Sequence, residues 1–214
     1  MNVTIVGAGN MGRGIGHRMV AGGHSVTIVD QNPEAAENLA SELKGVARAG
    51  VKVDVSTLET VQPGDVVVLA VWYGVNKEVA QKLGARLNGK VVVDIANPLN
   101  STNDGLATPA DSSSAEELAK VLPAGVKVVK AFNTTFAGTL LSGSVAGQPL
   151  DVFIAGDDAE AKKKVSQLVT DGGMRAIDAG PLHRSRQIEG MQLLQIVLQG
   201  SLGTNWMSGL KIVS

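Results

Sequence analysis

Residues 3–16 read VTIVGAGNMGRGIG, and residues 26–33 read VTIVDQNP. Each opens with a β-branched apolar run, the composition that favours a half- or fully buried strand. Glycines at 7, 9 and 12 follow the first run directly and open a stretch with helical composition. Strand, glycine turn, helix and second strand within about 30 residues make a βαβ unit, whose turn is suited to a pyrophosphate. In that reading Gly7 permits the tight turn, Gly9 lets backbone approach the phosphates, and Gly12 lets the helix pack closely on the strand. The free N–H groups of Asn10, Met11 and their neighbours, with the helix dipole, then favour an anion.

Working outward, similar runs recur at 51–55, 66–71, 91–95, 126–132, 151–155 and 175–178. Helix-forming segments lie between most of them, at 33–44, 75–87, 114–122 and 157–169. Pro33 suits a first helical turn, and Ser113 or Ser114 three residues before a Glu reads as a capping box. Near-continuous apolar strands alternating with helices predict an α/β fold: a doubly wound, mostly parallel Rossmann sheet of about eight strands. This dinucleotide-binding domain is expected over residues 1–180. A small C-terminal helical portion, 181–214, would close the substrate cleft and offer a dimer contact. Within it, Ile188, Met191, Leu194, Ile196 and Leu198 fall largely on one side of a helix. The polar stretch 97–113 shows no period and reads as a functional loop.

Composition removes several classes. A net charge of −1 gives no basic field for nucleic acid or an anionic membrane. With no cysteine there is no thiolate nucleophile, disulfide or Cys-ligated zinc. The apolar run 66–75 is roughly half of a membrane span, and with no leader pattern at Met1 a cytoplasmic protein is expected.

Asp30, at the tip of the second run, stands where an acidic side chain accepts hydrogen bonds from the adenosine ribose of NAD(H). A 2′-phosphate there would meet like charge, and Gln31-Asn32-Pro33 offers no cation. Only Arg13, on the first helix, could reach across, and NADP(H) stays open on that account. Ligands of such sheets bind beyond the strand ends, here 70–74, 95–100, 131–136 and 178–182. Four of the six aromatics, Trp72, Tyr73, Phe132 and Phe136, fall there; a flat slot for stacked rings and packing against a neighbour are both open. Asn97 reads as a loop former and a cofactor contact, Asn133 as a ligand contact. The histidines, 17, 24 and 183, are scattered, with no metal spacing and no nucleophile elbow. No catalytic acid or base is expected, which suits hydride transfer between two rings by positioning alone.

The succession GAGNMGRGIG, DIANPL, KAFNTTFAG, IAGDDAEAKKKV and DAGPLHRSRQIEGM resembles the F420-dependent NADP reductase family, whose relatives include the oxidoreductase domains of the Steap metalloreductases. The last segment, with Arg186 and Glu189 after DAGPL, carries the resemblance furthest. It implies hydride exchange between a nicotinamide and a deazaflavin, coenzyme F420, or a flavin. By the same resemblance Gly7, Gly9, Asn10, Met11 and Gly12 would bind pyrophosphate, and Ala70, Val71 and Trp72 would flank the nicotinamide ribose. Asn133, Thr134, Phe136, Pro181 and Leu182 would line the acceptor side. Two departures stand out: Asp30-Gln31 where F420-linked members carry Ser or Thr and Arg, and Val71-Trp72 where proline is frequent. Two other readings are weighed. A dinucleotide sensor without turnover would need no second ring slot. An imine reductase of the pyrroline-5-carboxylate type would need a larger helical domain than 181–214 supplies.

Overall fold

The computed structural model describes residues Met1–Val213. Ten strands are formed: β1 (Asn2–Val6), β2 (Ser25–Val29), β3 (Val53–Ser56), β4 (Val66–Leu69), β5 (Val91–Asp94), β6 (Lys127–Lys130), β7 (Ser144–Val145), β8 (Gln148–Pro149), β9 (Asp151–Gly156) and β10 (Arg175–Gly180). The helices are α1 (Asn10–Ala21), α2 (Pro33–Val46), α3 (Tyr73–Leu83), α4 (Ser114–Val121), α5 (Ala137–Ser142), α6 (Ala159–Asp171) and α7 (Ser185–Leu202). One eight-stranded sheet runs β10-β9-β6-β5-β4-β1-β2-β3, and β7 with β8 make a small hairpin.

Strand order reverses between β1 and β4, so a crevice opens there at the carboxyl ends of the strands, where ligands of open α/β sheets bind. Register pairing sets Val29, Val6, Leu69, Asp94 and Lys130 in one row across five strands at that end. Both faces of the sheet are covered, which is why the strands read as unbroken apolar runs. Val66 and Val68 pack toward α1, α2 and α6, while Val67 and Leu69 pack toward α3 and α4.

Caps fall where the side chains dictate. Asn32 accepts from Glu34 N–H and Ala35 N–H ahead of Pro33, and Ser113 accepts from Glu116 N–H. The eight strands and the six helices read from the sequence are present, whereas α5 and the β7–β8 hairpin were not anticipated.

The last two strands of the sheet run against the other six. β9 pairs antiparallel with β6, and β10 runs parallel to β9. In register, Gly180 at the end of β10 stands beside Ala155, which faces Lys130, the last residue of β6. Leu182 N–H donates to Asp157 at 2.8 Å, and its side chain packs with Val126 and Val128. Beyond Gly180 the chain therefore turns toward the start of β6, with Leu182 seated there.

Candidate functional site

The turn after β1 has the shape of an anion cradle. Gly7 has φ +110°, and a Cβ on it would stand 2.3 Å from the Ala70 carbonyl oxygen. Its N–H donates to Val29 O at 2.8 Å, tying the turn to the end of β2. A Cβ on Gly12 would lie 1.9 Å from Gly7 O, so α1 can approach the strand only as glycine there. Gly9 differs: a Cβ on it would meet nothing within 4 Å. It faces open space at the start of α1, beside the exposed Asn10 and half-buried Met11. A dinucleotide pyrophosphate fits that space, over N–H groups left unpaired by the first helical turn.

Asp30 belongs to the same turn. Its Oδ2 accepts from Ala8 N–H at 2.6 Å and its Oδ1 from Asn32 N–H at 2.8 Å. Each carboxylate oxygen retains a lone pair for a further donor such as a ribose hydroxyl. Gln31 is exposed beside it. Arg13, the nearest candidate cation in the sequence reading, is engaged elsewhere, donating to Glu42 of α2 at 2.8 Å.

At the neighbouring strand ends, Ala70 N–H donates to Val6 O, and Val71 leads into Trp72, which caps α3 and is 85% exposed. Asn97 and Asn133 are brought together across β5 and β6. The Asn97 amide donates to Asn133 O at 3.1 Å, and the Asn133 amide donates to Asn97 Oδ1 at 3.0 Å. Asn133 Oδ1 and Thr134 Oγ1 are buried without a partner, the pattern of polar groups awaiting a ligand or water. Phe132, just before them, is buried with φ +63°, a left-handed conformation rare for an aromatic. The aromatics divide: Phe132 is core, and Phe136 packs edge-on against Trp206 at 5.2 Å. Trp72 alone of the four is widely open at the crevice mouth.

Beneath this floor lies a charge cluster that sequence reading did not assemble. Lys130 Nζ stands 2.8 Å from Asp94 and 2.7 Å from Glu189, all three side chains 0% exposed, and also donates to Ala96 O. Asp94 accepts further from Asn76 and from Ala96 N–H. Glu189, from α7, accepts from Ser114 N–H at 3.0 and 3.2 Å, at the amino end of α4. Burial opposes the Lys130 ammonium, yet Asp94 and Glu189 together hold its pKa above the ordinary value. Burial, aided by Asp94, raises Glu189 against the pull of Lys130. The signal was available: VVVD is buried throughout and KVVK from its second residue on, and each ends on a charge.

Comparison with known proteins gives this geometry a family. Residues 2–98 match the family model described as NADP oxidoreductase, coenzyme F420-dependent. The F420-dependent NADP reductase of Methanocaldococcus jannaschii is 34% identical over 210 residues, covering 92% of each chain. The chain belongs to the F420-dependent NADP oxidoreductase family. A structure described as a putative F420-dependent NADP-reductase from Arthrobacter sp. FB24 superposes with TM-score 0.85 at 29% identity, covering 99% of both chains. The rat metalloreductase STEAP3 is 32% identical over 191 residues, 89% of this chain but 36% of its own. An imine reductase from Pseudomonas sp. shares the fold at TM-score 0.67 and 16% identity, and this chain covers 63% of it.

As a member of this family the protein is an oxidoreductase that uses a nicotinamide dinucleotide. Its histidines stand apart from the crevice. His17 contacts Glu42, His24 is held between the amino terminus and Asp171, and His183 is exposed on a short 3-10 turn. Among the described residues no cluster of metal-ligating side chains occurs, and no helix is long and apolar enough to cross a membrane.

Proposed function

We propose that this protein exchanges hydride between a nicotinamide dinucleotide and a ring acceptor of the deazaflavin type, coenzyme F420 or a flavin, as a cytoplasmic homodimer. The carrying observation is the pairing of two half-sites at one sheet end. One is the glycine turn, with open space over Gly9. The other is the Asn97–Asn133 pair with its unpartnered buried oxygen.

The nicotinamide, when bound, supplies the hydride chemistry; the chain supplies position. Gly7, Gly9, Asn10, Met11 and Gly12 hold the pyrophosphate. Ala70, Val71 and Trp72 flank the nicotinamide ribose, with Asn97 as a further cofactor contact. Asn133, Thr134 and the exposed Trp72 ring face the acceptor. Phe136 supports that side from below through Trp206. The openness of Trp72 supports turnover over a sensor role, because a sensor would have no reason to leave a second ring slot free.

Asp30 and Gln31 make this member favour NAD(H) over NADP(H), against the family's name. Asp30 is anchored by two backbone N–H groups, and Arg13 is taken by Glu42. A 2′-phosphate brings about −1.5 to −2 charges toward that carboxylate, a repulsion on the order of a few kcal/mol at ~5 Å and an effective dielectric of ~20. The dimer reading rests on α7, whose Leu194, Val197, Leu198 and Leu202 face outward.

One experiment tests both parts. Purified protein is assayed with NADH and NADPH against F420, FAD, FMN and a cyclic imine. F420 or flavin reduction with NADH preferred is the expected outcome. The Asp30→Ser, Gln31→Arg variant should shift the NADPH/NADH ratio of kcat/KM upward by ~10-fold or more, since it removes a repulsion of that order. Turnover of the imine alone would overturn the acceptor reading, and an unmoved ratio the role of Asp30.

A further inference from the structure

The buried cluster is unbalanced. One ammonium, Lys130, sits between two carboxylates, Asp94 and Glu189, all fully inside the protein. Interiors rarely accept charge without pairing, and with both carboxylates ionised one negative charge is left over. It is eased only by N–H groups: Ser114 N–H toward Glu189, and Ala96 N–H and the Asn76 amide toward Asp94. These donors favour ionised carboxylates, against the burial that raises Glu189.

Its place is specific. Asp94 pairs in register with Leu69, the last residue of β4, and Lys130 with Asp94. Neighbouring strands lie about 4.8 Å apart, so the cluster stands roughly 5 to 10 Å from the start of the Ala70–Trp72 turn. Its field is felt there. The Tyr73 hydroxyl, at the start of α3, is pushed above its ordinary pKa by burial and then by Glu117, Glu189 and Asp94.

We propose that the excess negative charge of the Asp94–Lys130–Glu189 cluster makes the site bind the oxidised nicotinamide more tightly than the reduced one. The inference rests on the reading of Ala70–Trp72 as the nicotinamide side. The two forms differ by one hydride, a hydrogen with two electrons, so the oxidised ring carries one more positive charge. One unit charge at ~10 Å and an effective dielectric of ~20 biases that choice on the order of tenfold. Tighter binding of the oxidised form makes the bound reduced form a readier hydride donor, so the three residues set the direction in which the site leans. They touch neither ring and act on it through the field alone.

The test is equilibrium binding, read by calorimetry without an acceptor. Wild type, Glu189→Gln and Asp94→Asn are each titrated with NAD⁺ and with NADH. Each variant keeps one carboxylate on Lys130 and removes the excess charge. Relative to wild type, the ratio of oxidised to reduced affinity should fall on the order of tenfold in both. A cluster with a structural role only would weaken both forms alike; an unchanged ratio overturns the inference. If either single variant does not fold, the Lys130→Met, Asp94→Asn, Glu189→Gln triple variant leaves no charge unpaired, an exchange buried ion clusters often tolerate. The same fall in ratio is expected of it. Wild-type protein that binds neither form would instead overturn the cofactor reading, and the inference with it.

Discussion

At the scale of single residues, the three glycines of the first turn do different work. Gly7 and Gly12 are fixed by backbone less than 2.5 Å from where a Cβ would stand, so substituting either distorts the turn itself. Gly9 has room for a side chain, in the space where the pyrophosphate is proposed to sit. Gly9→Val should therefore fold with little change in stability, within about 1 kcal/mol. Dinucleotide affinity should fall by ~100-fold or more, since the branched side chain occupies the phosphate seat and costs contacts worth ~3 kcal/mol. Thermal melting and NADH titration separate the two effects. Unchanged affinity in a folded variant would mean that the pyrophosphate sits elsewhere.

At the scale of elements, α7 is turned against the usual rule. Its buried face is polar: Ser185, Glu189, Gln192, Gln195 and Gln199 look inward with Ile188. Leu194 and Leu198 are 59% and 39% exposed. Glu189 enters the Lys130 cluster, while Gln195 and Gln199 hold Ser208 of the tail, and these contacts fix the rotation of the helix. The outward apolar stripe follows, and a second copy covers it in the dimer proposed above. Leu194→Glu with Leu198→Glu should weaken self-association on the order of 100-fold by setting charges in an apolar contact, while the melting temperature of the monomer stays near wild type. Sedimentation showing a monomer already in wild type would remove the idea. This helix also marks where sequence reading reached its limit. Periodicity found the apolar stripe of α7, but it cannot tell which face turns inward when polar residues have buried partners from distant strands. The glycine turn, β1–β6, Pro33 in the first turn of α2 and the cap at Ser113 were legible because they are local in sequence. The reversal of β9 was not, since a buried strand reads the same in either direction.

At the scale of the whole molecule, the tail at Lys211 and Ile212 is clasped to the start of β9. Asp151 is buried and receives Arg175 Nε at 2.8 Å, Lys211 Nζ at 3.1 Å and Ile212 N–H at 2.8 Å. Between α7 and this clasp the tail lays Trp206 edge-on to Phe136, so the clasp also steadies the side of the crevice proposed for the acceptor. Burial alone would raise the Asp151 carboxyl. Arg175, the Ile212 N–H and Lys211 outweigh it and bring the pKa down to about 2 from 3.8. A depressed acid stabilises the fold fully above its unfolded value and loses that contribution as pH falls toward the folded one. The shift corresponds to about 2 kcal/mol, present above pH ~4 and lost progressively toward pH ~2. Asp151→Asn should therefore be less stable than wild type by about that amount at neutral pH. Urea unfolding across a pH series should show the two proteins converging between pH ~4 and ~2. A difference that stayed constant down to pH ~2 would show that the carboxylate's charge is not what holds the tail.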